Sequence, residues 1–132
     1  MKESDRQLLV NLRRTLLNLH KALLDWERAA YEGVHGRTSP GELLQVIVSD
    51  PQFAWLRGVS ELVVRIDESL EIDALEGPEI DVGLILSQAR MIVSPADSAT
   101  PYAQRYHLAL QEHPDAVVAH GAVMNVLKTP RT

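Results

Sequence analysis

The sequence predicts an all-α protein, an elongated antiparallel bundle of five to six helices, on three observations. Ser39-Pro40, Asp50-Pro51, Thr100-Pro101 and, more weakly, His113-Pro114 each set a polar residue before a proline. Proline suits the first helical position because the N–H it lacks would have no intrahelical partner there. Between these signals apolar residues recur three and four apart, the period of a helix face. The first such run is also too long for a compact sphere. About 28 residues at ~1.5 Å rise span roughly 42 Å, against about 36 Å across a globule of this length.

The elements follow in order. A helix over 5–33 opens on a Ser4/Gln7 capping box and ends at Gly33 and Gly36. Its heptad seam is Leu9, Leu12, Leu16, Leu19, Leu23, Trp26 and Ala30, with a second apolar column at Val10, Leu17, Leu24 and Tyr31. Ser39-Pro40-x-Glu42 starts a helix over 40–49, and Asp50-Pro51 breaks the chain before a helix over 51–72 with the stripe Leu56, Val59, Val63, Ile66 and Leu70. The run 79–94 is rich in β-branched residues, which suit a strand. Val82, Ile85, Ala89 and Ile92 keep the helical spacing, so a helix is expected. Helices over 101–112 and 114–128 complete the bundle, with loops at 34–39, 73–78 and 95–100. Tyr102, Tyr106 and Leu110 form a packing face on the fifth helix.

Composition narrows the function. A chain of 132 residues, 45% hydrophobic, makes one domain over 1–132 and needs no covalent staple. Without cysteine there is no disulfide, thiolate nucleophile or thiolate metal site. The net charge of −5 argues against a nucleic-acid binder. The first residues lack the apolar stretch of a signal peptide, and no run approaches the ~20 residues of a membrane span. A cytoplasmic protein without membrane or nucleic-acid partners is the expectation. Gly-x-Ser-x-Gly, His-Glu-x-x-His and calcium-loop patterns are missing, and Gly36-Arg-Thr-Ser-Pro-Gly41 puts Glu42 where a phosphate loop needs lysine. Residues 67–81 hold seven acids and no base, read as a solvated helix end and loop. No cofactor and no enzymatic activity are expected.

The informative residues are polar ones within apolar faces. Arg13, His20 and Glu27 form a column between the two apolar columns of the first helix, and His120 lies among Ala116, Val117, Val123, Met124 and Leu127. His120 reads as a core histidine bonded to a carboxylate or carbonyl, with Asp67 a candidate partner. Two functional readings compete with simple satisfaction inside the fold. His20, Glu27, Asp67 and His120 are candidate ligands for a metal or small molecule, although residues seven apart on one helix lie about 10 Å apart and cannot share an ion unaided. Alternatively, two copies of the first helix pack antiparallel with His20 on a two-fold axis. Arg13 then faces the other copy's Glu27, and Leu16 lies level with Leu24, as an isologous dimer requires.

Leu19-His20-Lys21-x-Leu23-Leu24-Asp25-x-Glu27, Asp50-Pro51-x-Phe53-Ala54-Trp55-Leu56-Arg57, Arg65-Ile66-Asp67, Arg105-Tyr106, Leu110-Gln111 and Ala119-His120 resemble segments of small bacterial helical proteins of unassigned function. The resemblance implies a bacterial helical protein and brings no activity, cofactor or site residue with it. The functional expectation is therefore a non-enzymatic helical interaction or oligomerisation module whose partner is a second copy in a homodimer or another protein. The alternative is a ligand-binding bundle around the four polar candidates.

Overall fold

In a computed structural model that describes residues 1–131, helix α1 runs Glu3–His35 and forms the axis of the molecule. Its 33 residues make a rod of about 50 Å. One face buries Leu8, Leu9, Leu12, Leu16, Leu19, Ala22 and Leu23, which follows the predicted seam as far as Leu23. Beyond it Trp26 is half-buried and Ala30 exposed, and Val10 and Leu17 of the second apolar column face solvent. The start differs from expectation. Lys2 occupies the cap position without a side-chain cap, Ser4 lies inside the first turn, and Gln7 donates forward to Asn11. The helix passes through Gly33 and ends at Gly36, whose φ of 83° and ψ of 176° belong to a region that only glycine enters without strain.

Of the four expected polar–proline starts, Ser39, Asp50 and Thr100 cap with their side chains and His113 does not, while Asp81 adds a cap that was not expected. In α2 (Pro40–Ser49) Ser39 accepts the Glu42 amide, and in α5 (Pro101–Glu112) Thr100 accepts that of Ala103. Asp81 accepts the Leu84 amide to open α4 (Val82–Val93), so the β-branched stretch is helical. In α6 (Pro114–Leu127) the proline acts without a side-chain cap from His113. Asp50 accepts the Gln52 amide but opens a 3₁₀ segment, Pro51–Leu56, before α3 begins (Arg57–Ala74). The continuous helix expected over 51–72 is therefore two elements. The tighter turn lets Phe53 and Leu56 reach the core while Trp55 points to α1.

Cross-links give the topology. Arg6 bonds to the Leu70 carbonyl and Asp73, and Arg13 pairs with Asp67, so α3 runs antiparallel to α1. Arg131, beyond α6, reaches back to Asp5, so α6 is antiparallel to α1 too. Arg65–Gln88 and Ser94–Met124 place α4 between α3 and α6. Helices α1, α3, α4 and α6 thus form a four-helix antiparallel bundle. The 3₁₀ segment, α2 and α5 gather at the end where α1 finishes. Among the described residues there is no strand, and no helix is long and apolar enough to cross a membrane.

Candidate functional site

All six Trp, Tyr and Phe side chains of the chain make ring contacts at the α2 end, in two separate sets. Tyr31 meets Phe53 on the 3₁₀ segment, Trp26 meets Trp55 edge-on, and Trp55, Tyr102 and Tyr106 follow in sequence. Within them lies Glu27, with none of its surface exposed. A buried carboxylate is stable only when its oxygens are well supplied with donors. The Trp55 indole N–H donates to Oε1 at 2.8 Å, while Gln52 Nε2 at 3.3 Å and the Arg105 guanidinium at 2.6 Å donate to Oε2. Arg105 also lies over the Trp26 ring, 4.4 Å from its centroid, and the Trp26 indole N–H donates to Glu112. Glu27 therefore fastens the 3₁₀ segment and α5 to α1 at one point.

The other polar residues fall apart into separate local roles. Asp67 is engaged by Arg13 on a partly exposed surface rather than by His120. His120 instead has its Nδ1 2.6 Å from the Tyr106 hydroxyl, an apolar-wall partnership that corrects the carboxylate expected there. With the ring proton on Nε2, the buried hydroxyl donates to Nδ1. Burial, aided by neighbouring His107, holds the His120 pKa below the usual histidine value, and burial alone lowers that of half-buried His20. Burial raises the Tyr106 hydroxyl above its ordinary pKa, with Tyr102 contributing. The four candidate ligands are not brought together, and among the described residues no three His, Asp or Glu side chains are placed to hold a metal ion. The two-fold seam meets a similar obstacle. Leu16 and Glu27 are wholly enclosed by the chain's own helices, and Arg13 and Glu27 find their opposite charges within it.

What the clamp positions is α2, which packs on the 3₁₀ segment. Its sequence, Pro-Gly-Glu-Leu-Leu-Gln-Val-Ile-Val-Ser, has five aliphatic residues in ten, yet none of its residues is buried. At about 100° per residue, Glu42, Gln45 and Ser49 share one side, and apolar residues fill the rest. Leu43, Val46 and Ile47 sit half-buried against the protein, while Leu44 and Val48, one turn apart, remain 64% and 65% exposed. Gly41 continues that outer ridge and has open space above it. The density of aliphatic residues at 43–48 is the sequence signal for this surface, since a short peripheral helix can bury only one side. Arg105 and Trp55 carried a weaker signal: a buried glutamate demands donors, but nothing local says which distant helix supplies them. Compared with known proteins, the chain matches no family model, no curated protein and no solved structure.

Proposed function

We propose that the protein is a non-enzymatic helical interaction module that self-associates through α2. The observation that carries this reading is the uncovered apolar ridge of Leu44 and Val48 on a helix with no buried residue. An exposed aliphatic pair on one side of a helix is an anchor in a complex, because covering each side chain removes its apolar area from water. The Glu27 clamp supports the reading, since it fixes the 3₁₀ segment on which α2 rests and so sets where the ridge is presented. A pair of copies is the smallest assembly that would cover it, and the acidic, cysteine-free composition is compatible with a cytoplasmic setting.

Sedimentation velocity over a wide concentration range tests this. The wild-type chain should associate, and Leu44→Glu/Val48→Glu should be monomeric with an unchanged helical spectrum and melting temperature, because neither side chain supports the core. A wild type that stays monomeric near millimolar concentration, or a double variant that associates equally well, would remove the reading.

A further inference from the structure

The end opposite α2 has an apolar surface of the same kind, set among acids. There α3 finishes beside the start of α1, with Arg6 and Asp73 joined across them. Leu75, the residue at the end of α3, is 75% exposed, and Ile72 one turn earlier is partly exposed. Around this pair lie Glu68, Glu71, Glu76 and Glu79, none of them in an ion pair among the described residues. Residues 1–6, 68–83 and 128–131, which the fold collects at this end, hold eight acids and four bases, whereas the rest of the chain has ten and nine. Four of the five net negative charges therefore sit at one tip of the rod.

The α2 tip is not acidic: Arg37 and Arg57 balance Glu42 and Asp50 there. Arg57 lies beside Val48, its guanidinium donating to the Val48 carbonyl at 3.1 Å and meeting no carboxylate, and Arg37, in the loop that leads into α2, is exposed and without an acid partner among the described residues. Glu42 lies on the polar side of α2, away from the ridge. One backbone detail points the same way. Glu76 has a positive φ of 54°, a conformation glycine would adopt without strain, and it sets an acidic side chain next to Leu75.

Resting on the α2 reading, we infer that α2 of one copy docks on the acidic α3 tip of the next, Leu44 and Val48 against Leu75 and Ile72, with Arg37 and Arg57 facing the glutamates. Two different patches meet in such a contact, so it is heterologous. Copies related by it add end to end and do not close as a two-fold dimer would. The partner is a second copy of this chain because each tip offers an exposed apolar pair, and the arginines at one find at the other glutamates that have no ion pair among the described residues.

Full-length protein with a head variant, Leu44→Asp/Val48→Asp, and a tail variant, Leu75→Lys, tests this by sedimentation velocity from about 1 μM to about 1 mM. Wild type should form a ladder of species that lengthens with concentration, and ~0.5 M salt should weaken it about tenfold or more by screening the arginine–glutamate contacts. Each variant alone should be monomeric, with a melting temperature near that of wild type as evidence of folding. Mixed in equal amounts, they should give a 1:1 pair and nothing larger, since each retains the patch that the other lacks. A mixture that stays monomeric overturns the inference, as does a wild type that stops at a salt-insensitive dimer. If the tail variant associates like wild type while the head variant does not, the head-to-tail contact falls and α2 still stands as an interaction surface. If the head variant itself associates, both fall.

Discussion

Glu27 shows how one side chain can set the geometry of several elements. It lies 78 positions from Arg105 and 28 from Trp55, and all three meet at hydrogen-bonding distance. Removing one partner of a buried ion pair is costly because the other charge stays desolvated. Arg105→Ala should therefore destabilise by about 3 kcal/mol, the low end of that range because the guanidinium is partly wet. The matched apolar replacement Glu27→Leu/Arg105→Met should recover most of this, read from urea midpoints at constant slope. Equal losses in the single and double variants would mean that the charge pair is not what holds the site. The histidines give a pH signature of definite sign. Burial depresses the folded-state pKa values of His20 and His120, with His107 adding to the effect at His120. Below the ordinary histidine pKa of about 6.5 the unfolded chain thus binds protons that the folded chain resists, and stability must fall as pH drops. It is fully present above that pH. Asp5, Asp73 and Glu32, bonded chiefly to Arg131, the terminal ammonium and the Thr38 amide respectively, have lowered pKa values and act in a separate, more acidic window. Melting temperatures from pH 7.5 to 5 should decline, and less steeply in His20→Leu; an unchanged slope in that variant would count against burial as the cause.

The end of α3 shows local chemistry deciding an element. The Gly77 amide reaches back to the Ile72 carbonyl at 2.8 Å and that of Glu76 to Asp73, a Schellman-type closure with Glu76 in the left-handed position. A Cβ on Gly77 would lie 2.8 Å from Ile72 Cγ2 and 3.2 Å from its carbonyl oxygen. Gly77→Ala should accordingly cost about 1–3 kcal/mol. Glu76→Gly should stabilise by up to about 1 kcal/mol by relieving the left-handed strain. Thermal melts of the two variants shifting in the same direction would contradict this account. Such termini, with the proline starts, explain why element boundaries were largely legible in the sequence: caps act over three or four residues and leave local signatures. The 3₁₀ segment was not legible, because the periodicity of 51–72 is compatible with one α-helix and the tighter turn serves Trp55 and Phe53, whose contacts lie on α1. The candidate site was legible only in half. The position of Glu27 inside an apolar arc could be read from spacing, but its donors could not. For the same reason Tyr106, rather than Asp67, as the partner of His120 was not legible: contacts between distant helices depend on packing register that no local pattern encodes. The surplus of aliphatic residues at 43–48 was present in plain sequence, yet which of them the fold covers depended on where the 3₁₀ segment ends.

At the scale of the molecule, α1 touches α3, α5, α6 and the 3₁₀ segment along its length, whereas α2 rests mainly on the 3₁₀ segment. Local stability should follow this difference, since cooperative units are defined by the apolar contacts they share. The middle of α1, with Leu12, Leu16 and Leu19 fully enclosed, can open only when the bundle unfolds, and its amides should exchange at the global unfolding limit. The α2 amides have no buried side chain above them and should open independently, exchanging orders of magnitude faster. Hydrogen exchange measured by mass spectrometry on dilute and concentrated samples then joins stability to function. At low concentration α2 should be the least protected helix. As concentration rises, protection should grow in α2 and in residues 68–79 together, while the centre of α1 stays unchanged. Protection that grows in α2 alone would point to a contact between two α2 helices, and α2 amides already as slow as those of central α1 in the dilute sample would mean that the helix belongs to the bundle's cooperative core and is not a loosely held docking element.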